Sequence, residues 1–143
     1  MKRKAIIVDL DGTICENVTG RPWYGKGAAE GMLLDNPCIN IMNLIDSYAW
    51  NYDLKIIILT GRHKGEELEA TEKWLHKYSF FYDEIFAREL NDYSKSAPYK
   101  EKVYEELIKP NYDVVMIFED NNACVKMFRD KGLTVLQPQN SEY

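Results

Sequence analysis

The sequence lacks any apolar run long enough to cross a membrane. Its longest apolar segments, IIVDL and IIILT, have the length of β-strands and fall far short of the ~20 residues that a membrane helix needs. The N-terminus MKRKAIIVDLDG is basic and then apolar, but Asp9 interrupts it after about five residues, too few for the core of a signal peptide. We therefore expect a cytoplasmic protein that does not associate with membranes.

Cysteine and excess charge are scarce as well. The three cysteines are an odd number without metal-ligand spacing, which indicates reduced thiols. The formal net charge of −5 argues against a broadly basic nucleic-acid-binding surface, although it permits a small basic groove. No linker, repeat or low-complexity segment divides the 143 residues, so we expect one domain over residues 1–143.

What the chain does contain is an alternation of strand-like and helix-like segments. Apolar runs rich in Ile and Val predict buried strands at Ala5–Leu10, Leu54–Thr60, Val114–Phe118 and Leu133–Leu136, with a weaker strand at Asp83–Ala87. Apolar residues at helical spacing predict helices that begin at Asn36-Pro37 and span Glu66–Tyr78, Ser96–Ile108 and Asn122–Lys131. This alternation predicts a doubly wound α/β fold with a parallel sheet of about five strands.

Residues 13–35 do not fit this alternation. They contain four glycines and the sequence Arg21-Pro22-Trp23-Tyr24, and they are too many for a simple connection between a strand and a helix. Long ordered loops in compact domains are usually functional, and this segment directly follows an acidic pair. We therefore expect a flap beside a functional site; the alternative is a surface segment whose aromatic residues only cover an edge of the core.

Charged and polar residues follow the ends of several predicted strands. Asp9 and Asp11 follow the first strand, Thr60-Gly61-Arg62 the second and Glu119-Asp120 the fourth. Lys100 lies in the first turns of the helix before the fourth strand, and helix N-termini face the same edge of the sheet. Because ligands of open parallel sheets bind at that edge, we expect these residues to form one site.

Carboxylates gathered in this way suit a hard divalent cation such as Mg²⁺, which takes oxygen ligands. We expect Asp9, Asp120 and the backbone carbonyl of Asp11 to bind it, while Thr60, Lys100 and backbone N–H groups hold a phosphate. The Asp9 carboxylate would attack phosphorus and form an aspartyl-phosphate, and Asp11 would protonate the leaving group and later activate water. The pattern predicts a metal-dependent phosphomonoesterase.

Simpler explanations remain open for several of these residues. Arg62 is also spaced for a surface ion pair with Glu66, and Lys95 or Lys102 compete with Lys100 for its role. A receiver-type signalling module also uses acids, Thr and Lys on a parallel sheet, and a non-catalytic phosphate-binding module is a further alternative. The acidic pair on the first strand favours the enzyme, since the phosphoacceptor of a receiver module follows a later strand.

Four motifs in order, DLDGT, the threonine of ILTGR, Lys100 and the acids of FEDNN, resemble those of the haloacid-dehalogenase superfamily, and they span nearly the whole chain. Within that superfamily, TGRPWY, LTGRHKG, FARELNDYSKSAPYKEKVYEEL and FEDNNACVKMFRDKGLTVLQ resemble the 3′-phosphatase domain of the bacteriophage polynucleotide kinase family. The resemblance implies a Rossmann-like three-layer α/β/α sandwich. The short spacing between the motifs leaves no room for a large cap domain.

The resemblance also implies roles for particular residues. It makes Asp9 the nucleophile and Asp11 the general acid–base, and it places the paired acids Glu119 and Asp120 with them at the Mg²⁺. The phosphate-binding residues are then Thr60, Gly61, Arg62 and Lys100. Arg21 matches an arginine of the flap, and Arg21, Trp23 and Arg88 are candidates for contact with the substrate where it leaves the phosphate site.

The implied substrate is the 3′-phosphate of a nucleic acid in end repair, with free nucleotides or other small phosphomonoesters as the alternative. The chain departs from the phage pattern where Ser94-Lys95-Ser96-Ala97 replaces acidic residues, and where Glu119 replaces an aspartate. No segment matches the phosphate-binding loop G-x-x-x-x-G-K-[ST], so we expect a phosphatase without its own kinase activity, and a separate kinase or ligase partner stays an open alternative.

Overall fold

A computed structural model of the protein describes residues 1–142. Its core is a parallel sheet of five strands, which lie in the order Glu84–Arg88, Lys55–His63, Arg3–Val8, Tyr112–Phe118, Val135–Leu136. The strands are β1 (Arg3–Val8), β4 (Lys55–His63), β5 (Glu84–Arg88), β6 (Tyr112–Phe118) and β7 (Val135–Leu136). All four pairings are parallel, which confirms the sheet predicted from the apolar runs.

Helices cover both faces of the sheet. The helices are α1 (Ala28–Met32), α2 (Ile39–Tyr52), α3 (Glu66–Lys77), α4 (Ser96–Val103) and α5 (Asn122–Asp130). On one face, Ile45 of α2 and Trp74 of α3 pack with Ile6 and Ile58 of the sheet. On the other face, Tyr99 of α4 and the α5 residues Val125 and Phe128 pack against the sheet. They contact the strand residues that alternate with those of the first face. The three-layer α/β/α arrangement is therefore confirmed.

The last turn of the helix predicted over Ser96–Ile108 has a different geometry. Residues Tyr104–Ile108 form a π-helical turn, and the Lys109 N–H donates to the Tyr104 carbonyl at 2.7 Å. Pro110 follows, and because proline has no N–H it cannot continue a regular helical pattern. The helix therefore ends where the sequence predicts, but with a widened final turn.

The segment before α2 corrects one prediction. Asn36–Pro37 forms a short strand, β3, which pairs antiparallel with β2 (Cys15–Glu16), and α2 begins only at Ile39. The Cys38 N–H also donates to the Ile14 carbonyl at 2.8 Å. These long-range pairings hold Pro37 in an extended conformation, so proline does not occupy the first helical turn here.

Residues 13–35 are more ordered than a loop. They include β2 and the short helix α1, whose Ala28 and Met32 pack against Ala70 of α3. Within the described residues, nothing larger than these elements lies between β1 and α2, as expected for a fold without a large cap domain. Among residues 1–142, no helix is long and apolar enough to span a membrane.

Candidate active site

The site begins where two neighbouring strands end. Asp9 directly follows β1, and its N–H donates to the carbonyl of Phe118, the last residue of β6, at 3.0 Å. Glu119 and Asp120 follow Phe118, so the adjacent ends of β1 and β6 bring three buried carboxylates together. One oxygen of each lies within 4.8 Å of the others. The structure thus brings these three acids together at the carboxyl edge of the sheet, as the sequence predicts.

Lys100 provides the positive charge inside this cluster. Its Nζ donates to Asp9 Oδ1 at 2.8 Å and to Glu119 Oε1 at 2.5 Å. Burial opposes the charge, but Asp9 and Glu119 outweigh it and raise the pKa of Lys100 well above its ordinary value. The competing lysines, Lys95 and Lys102, are exposed, whereas Lys100 is buried in contact with Asp9 and Glu119; its phosphate-binding role stays a prediction.

The single positive charge of Lys100 does not balance the negative charge of the three acids. Burial and the nearby Glu119 raise the pKa of Asp9 well above its ordinary value, although Lys100 acts in the opposite direction. Oε2 of Glu119 accepts from the Asn121 N–H at 3.2 Å, and Oε1 already accepts from Lys100. Both carboxylate oxygens of Glu119 therefore accept hydrogen bonds, from Lys100 and from the residue before α5. The remaining negative charge lies on Asp9 and Asp120.

This donor set fits a divalent cation. Three buried carboxylates with a single lysine leave a surplus of negative charge, and their oxygen atoms lie close enough for a common ligand. Oxygen-only donors of this kind are typical of Mg²⁺ sites. Asp9 and Asp120 are the side chains that would hold such an ion.

Gly12 and Thr13 form the turn that closes around the acids. Gly12 has a φ of 82°, and a Cβ at this position would lie 2.1 Å from Asp120 Oδ2, so only glycine fits beside that carboxylate. The Thr13 hydroxyl lies 3.3 Å from Asp9 Oδ2 and 3.5 Å from Asp120 Oδ1. The residues after Asp11 in DLDGT thus hold the acids in place.

Asp11 lies in a separate cluster of charged residues next to the first. Arg62 donates to it from Nε at 3.1 Å and from Nη2 at 2.7 Å, and Arg21 Nη2 donates at 2.9 Å. Burial would raise the pKa of Asp11, but the two guanidinium groups outweigh it and lower the pKa. Asp11 is therefore an ionised, firmly oriented carboxylate in this arrangement.

The same cluster corrects the simpler explanation of Arg62. The side chain is buried, and its partners include Asp11, Asp35 and the Thr71 hydroxyl, to which Nη1 donates at 2.8 Å. It makes no ion pair with Glu66 among the described residues. Arg21, predicted near the substrate exit, is also buried and bonded to Asp11 and Asp35.

Asp35 is a member of this cluster that the sequence analysis missed. It lies at the end of the flap segment, outside all four motifs, and no periodic pattern marks it. In the sequence, its local signal is an aspartate two residues before a proline, and such residues usually form turns. Its partners lie 14 and 27 positions away, which sequence reasoning cannot pair.

Thr60 and Gly61 occupy the end of β4. Thr60 is buried, and its hydroxyl accepts from the Arg62 N–H at 3.1 Å. The Gly61 carbonyl accepts from Arg88 Nε at 2.9 Å. Gly61 lines the cavity described next, and the phosphate-binding roles of Thr60 and Gly61 stay predictions.

A cavity of about 310 Å³ opens above Asp9, Asp11 and Lys100. Its walls include Arg62, Arg88 and a mouth of half-exposed aromatic residues: Trp23, Tyr24 and Tyr93. Tyr24 and Tyr93 come from separate segments, and their ring centroids lie 5.5 Å apart. Arg88 Nη1 donates to the Ser94 carbonyl at 2.6 Å, and its guanidinium stacks over Tyr99. The cavity is thus polar at its base and aromatic at its entrance.

Comparison with solved structures defines the class of fold. A haloacid dehalogenase-like hydrolase from Streptococcus pneumoniae matches with a TM-score of 0.61 over 94% of this chain and 84% of its own, at 15% identity. A second hydrolase from the same organism matches with a TM-score of 0.63 over 98% of this chain and 95% of its own, at 12% identity. The fold is that of the haloacid-dehalogenase-like hydrolases.

A sequence profile identifies the family within that class. Residues 3–143 match the phosphatase domain of polynucleotide kinase PNKP, so the chain belongs to this family and is a phosphatase of the haloacid-dehalogenase type. The enzyme predicted from DLDGT and its partner motifs is therefore confirmed, and the signalling and non-catalytic alternatives are wrong.

Two larger relatives are similar to this chain. A bifunctional polynucleotide kinase/RNA ligase of Autographa californica nuclear polyhedrosis virus is 27% identical over 89% of this chain. A chain of the Pnkp1/Rnl/Hen1 complex is 29% identical with a TM-score of 0.87 over 99% of this chain. The present chain spans only 18% of the viral protein and 48% of the matched chain of the complex.

Proposed function

We propose that this phosphatase removes 3′-phosphates from nucleic-acid ends through an aspartyl-phosphate on Asp9, with Mg²⁺ as its cofactor. The observation that carries the mechanism is the position of Asp9, whose carboxylate lies between Lys100 and the acids after β6 at the base of an open cavity. The family supports a phosphate ester as substrate. We also propose that residues 1–143 act as one domain, with residues 13–35 as a flap.

In the first step, the Asp9 carboxylate attacks phosphorus, an Asp9 O–P bond forms, and the bond to the leaving oxygen breaks. Lys100 keeps Asp9 oriented and, with Thr60 and Gly61, binds the non-bridging phosphate oxygens. A Mg²⁺ held by Asp9, Asp120 and the Asp11 carbonyl would neutralise charge on the transferring group. Glu119 is proposed to act through Lys100 rather than as a direct metal ligand.

Asp11 is the proposed proton donor and acceptor. When the first ester bond breaks, the Asp11 carboxyl delivers a proton to the departing alkoxide, which leaves as an alcohol. Water then attacks the Asp9-bound phosphoryl group, Asp11 takes a proton from that water, and phosphate leaves with Asp9 restored. Because Arg62 and Arg21 hold Asp11 in its ionised form, these bonds must loosen when substrate binds, and Asp11 must take a proton from solvent before it delivers one to the alkoxide.

The shape of the cavity favours the end of a polymer as substrate. Its volume of about 310 Å³ is at the small end of the range for ligand pockets, so little beyond the terminal residue enters. Trp23 and Tyr24 at the mouth offer surfaces for stacking with a base. Arg88 lies in the wall of the cavity and is the proposed contact for the substrate beside its terminal phosphate, whereas Arg21 acts more indirectly, through Asp11.

The names of two similar proteins suggest which enzymes could act together with this phosphatase. One of them belongs to a Pnkp1/Rnl/Hen1 RNA repair complex, and the other is a polynucleotide kinase/RNA ligase. We propose that a kinase or ligase also cooperates with this phosphatase in end repair. The cytoplasmic location expected from the sequence stays a prediction.

A panel of substrates tests the proposal. Oligonucleotides with a 3′-phosphate or a 5′-phosphate, nucleoside monophosphates and sugar phosphates are compared with p-nitrophenyl phosphate. We expect the highest kcat/KM for the 3′-phosphorylated oligonucleotide. Better hydrolysis of mononucleotides or sugar phosphates would leave a phosphatase with a different substrate.

The nucleophile and the metal are tested with Asp9→Asn and with EDTA. The amide preserves the shape of the side chain but cannot attack phosphorus, so turnover of every substrate should cease while the circular dichroism spectrum stays native. EDTA should stop the wild-type reaction, and added Mg²⁺ should restore it. Asp83→Asn is the matched control, since this carboxylate accepts from the Ile56 N–H at the opposite edge of the sheet. Full activity of Asp9→Asn would contradict the mechanism.

A further inference from the structure

Residues 136–141 run from the sheet along the active site, and we call them the clasp segment. The Glu119 N–H donates to the carbonyl of Leu136, the last residue of β7, at 3.2 Å. At the other end of the segment, the Ser141 N–H donates to the Asp120 carbonyl at 3.2 Å. The clasp segment lies outside the four motifs, yet both of its ends are bonded to the loop that carries the acids after β6.

Two glutamines of the clasp segment bond the two loops that carry the proposed Mg²⁺ ligands. Gln137 Nε2 donates to the Asp120 carbonyl and to Asn122 Oδ1, both at 2.8 Å. Gln139 Nε2 donates to the carbonyl of Gly12, in the turn after β1, at 2.9 Å. The segment therefore connects the loop after β6 to the turn after β1.

These two loops are in direct contact at Gly12. A Cβ on this glycine would lie 2.1 Å from Asp120 Oδ2 and 3.1 Å from Gln139 Nε2, so the glycine backbone, the carboxylate and the amide pack against one another. The carbonyl of Asp11, the proposed backbone ligand, belongs to the peptide bond that precedes Gly12. A displacement of either loop would therefore change the distance between two proposed ligands.

The backbone position of Asp120 largely determines where its carboxylate lies, because an aspartate side chain has only two rotatable bonds. The Gln137 amide and the Ser141 N–H both donate to the carbonyl of this residue and fix that position. Loss of a hydrogen bond that orients a metal ligand typically lowers metal affinity or activity by about 10- to 100-fold. Gln137 is half-buried, whereas Gln139 is exposed and water competes for its acceptor, so we expect Gln137 to matter more.

We propose that Gln137 is a positioning residue for Asp120, that Gln139 acts in the same way on the Gly12 turn, and that the clasp segment thereby sets the affinity for Mg²⁺. The proposal rests on the proposed function, since it requires Asp120 and the Asp11 carbonyl to hold that ion. Neither glutamine lines the cavity above Asp9, so neither has a proposed contact with the phosphate.

Gln137→Met tests this proposal, since methionine has a similar length but no N–H donor and no charge. The probe is MgCl₂ alone, added at constant ionic strength to the substrate-free protein, and the rise in Tm with its concentration gives the Kd for Mg²⁺. We expect this Kd to increase about 10-fold in Gln137→Met. The kcat for a 3′-phosphorylated oligonucleotide should recover towards the wild-type value as the Mg²⁺ concentration is raised, because the chemical groups are unchanged.

Two further variants complete the experiment. Gln139→Met should raise the Kd for Mg²⁺ in the same direction by only about 2- to 3-fold, because water replaces the lost donor at an exposed carbonyl. It also provides a second route if Gln137→Met does not fold. Asn140→Ser is the matched control, since Asn140 is exposed in the same segment and its side chain makes no hydrogen bond within residues 1–142.

The outcomes separate a positioning role from a structural one. Lower stability of Gln137→Met to urea in EDTA, together with an unchanged Kd for Mg²⁺, would mean that the glutamine serves only the fold, and it would overturn the proposal. An equal increase in Kd for Asn140→Ser would overturn it as well. If the wild type binds no Mg²⁺ and stays active in EDTA, the proposed cofactor fails and this inference fails with it. If the wild type depends on Mg²⁺ and both methionine variants bind it equally well, only the positioning inference fails.

Discussion

Tyr99 carries a buried hydroxyl that has no hydrogen-bond partner among the described residues. Its ring lies beneath Arg88, with the guanidinium carbon 4.4 Å from the ring centroid. A buried polar group without a partner costs about 1–3 kcal/mol, whereas the ring contact with Arg88 does not need the hydroxyl. Tyr99→Phe should therefore raise the free energy of unfolding at pH 7 by about 1 kcal/mol or more.

The pH dependence of Tyr99→Phe gives a second check on the same residue. Burial raises the pKa of Tyr99 to about 12 from its ordinary value of 10, although Arg88 and Lys100 oppose this. The folded state thus favours the neutral phenol, a contribution that is complete below pH 10 and is lost as the pH rises towards 12. Wild type should lose stability over that range more steeply than Tyr99→Phe in urea titrations. Tyr52→Phe, at an exposed site, is the control, and a less stable Tyr99→Phe at pH 7 would reveal a partner for the hydroxyl.

At the residue scale, the sequence predicts the acids and the lysine but not their supporting contacts. Asp9, Glu119 and Asp120 meet because they follow adjacent strand ends, and strand ends are visible in the apolar runs. The catalytic roles assigned to them stay predictions. Asp35 and Thr71 were not predicted, because their importance depends on arginines that reach them only in the folded chain.

At the scale of the elements, most strands and helices lie where periodicity places them, and the flap contains the exceptions. β2, β3 and α1 are too short for a periodic signal, and long-range pairing or packing against α3 determines their structure. Residues Gly27 to Gly31 resemble a loop by composition, yet Ala28–Met32 is helical. Tertiary contacts therefore determine the structure here and override the low helix propensity of the two glycines.

Gly31 shows how α1 is tied to the active site. A Cβ on Gly31 would lie 2.3 Å from Cβ of Arg21, so α1 packs directly against the arginine that bonds Asp11 and Asp35. Helix propensity alone predicts that Gly31→Ala stabilises α1 by about 1 kcal/mol. We expect the opposite: Arg21 is displaced, stability falls by about 1–3 kcal/mol through overpacking, and hydrolysis of 3′-phosphates falls with it.

The experiment on Gly31 combines urea unfolding with initial rates for Gly31→Ala. Glu30→Ala is the matched control, since this residue is exposed in the same helix and should leave both quantities nearly unchanged. A stabilised and fully active Gly31→Ala would show that Arg21 tolerates movement and that α1 is independent of the site.

At the scale of the whole molecule, the charge distribution limits how the proposed nucleic-acid substrate can bind. The chain carries a net charge of −5, and several of its arginines are buried in ion pairs rather than spread over a surface. Long-range attraction of a polyanion is therefore weak. The proposed nucleic-acid substrate would then be held by its terminal phosphate, by stacking at the cavity mouth and by very few further phosphate contacts.

This distribution predicts a shallow salt dependence for a 3′-phosphorylated oligonucleotide. For single strands, each phosphate contact contributes about −0.7 to the slope of log affinity against log salt concentration. With one or two contacts outside the cavity, log(kcat/KM) should change with a slope of about −0.7 to −1.4. Trp23→Ala should lower kcat/KM for the oligonucleotide with this slope unchanged, because stacking releases no counterions, and p-nitrophenyl phosphate hydrolysis is the control for the chemical step. A slope several times steeper would indicate an extended basic surface that contacts many phosphates of the oligonucleotide. A rate that does not change with salt would mean that only the phosphate at Asp9 is recognised.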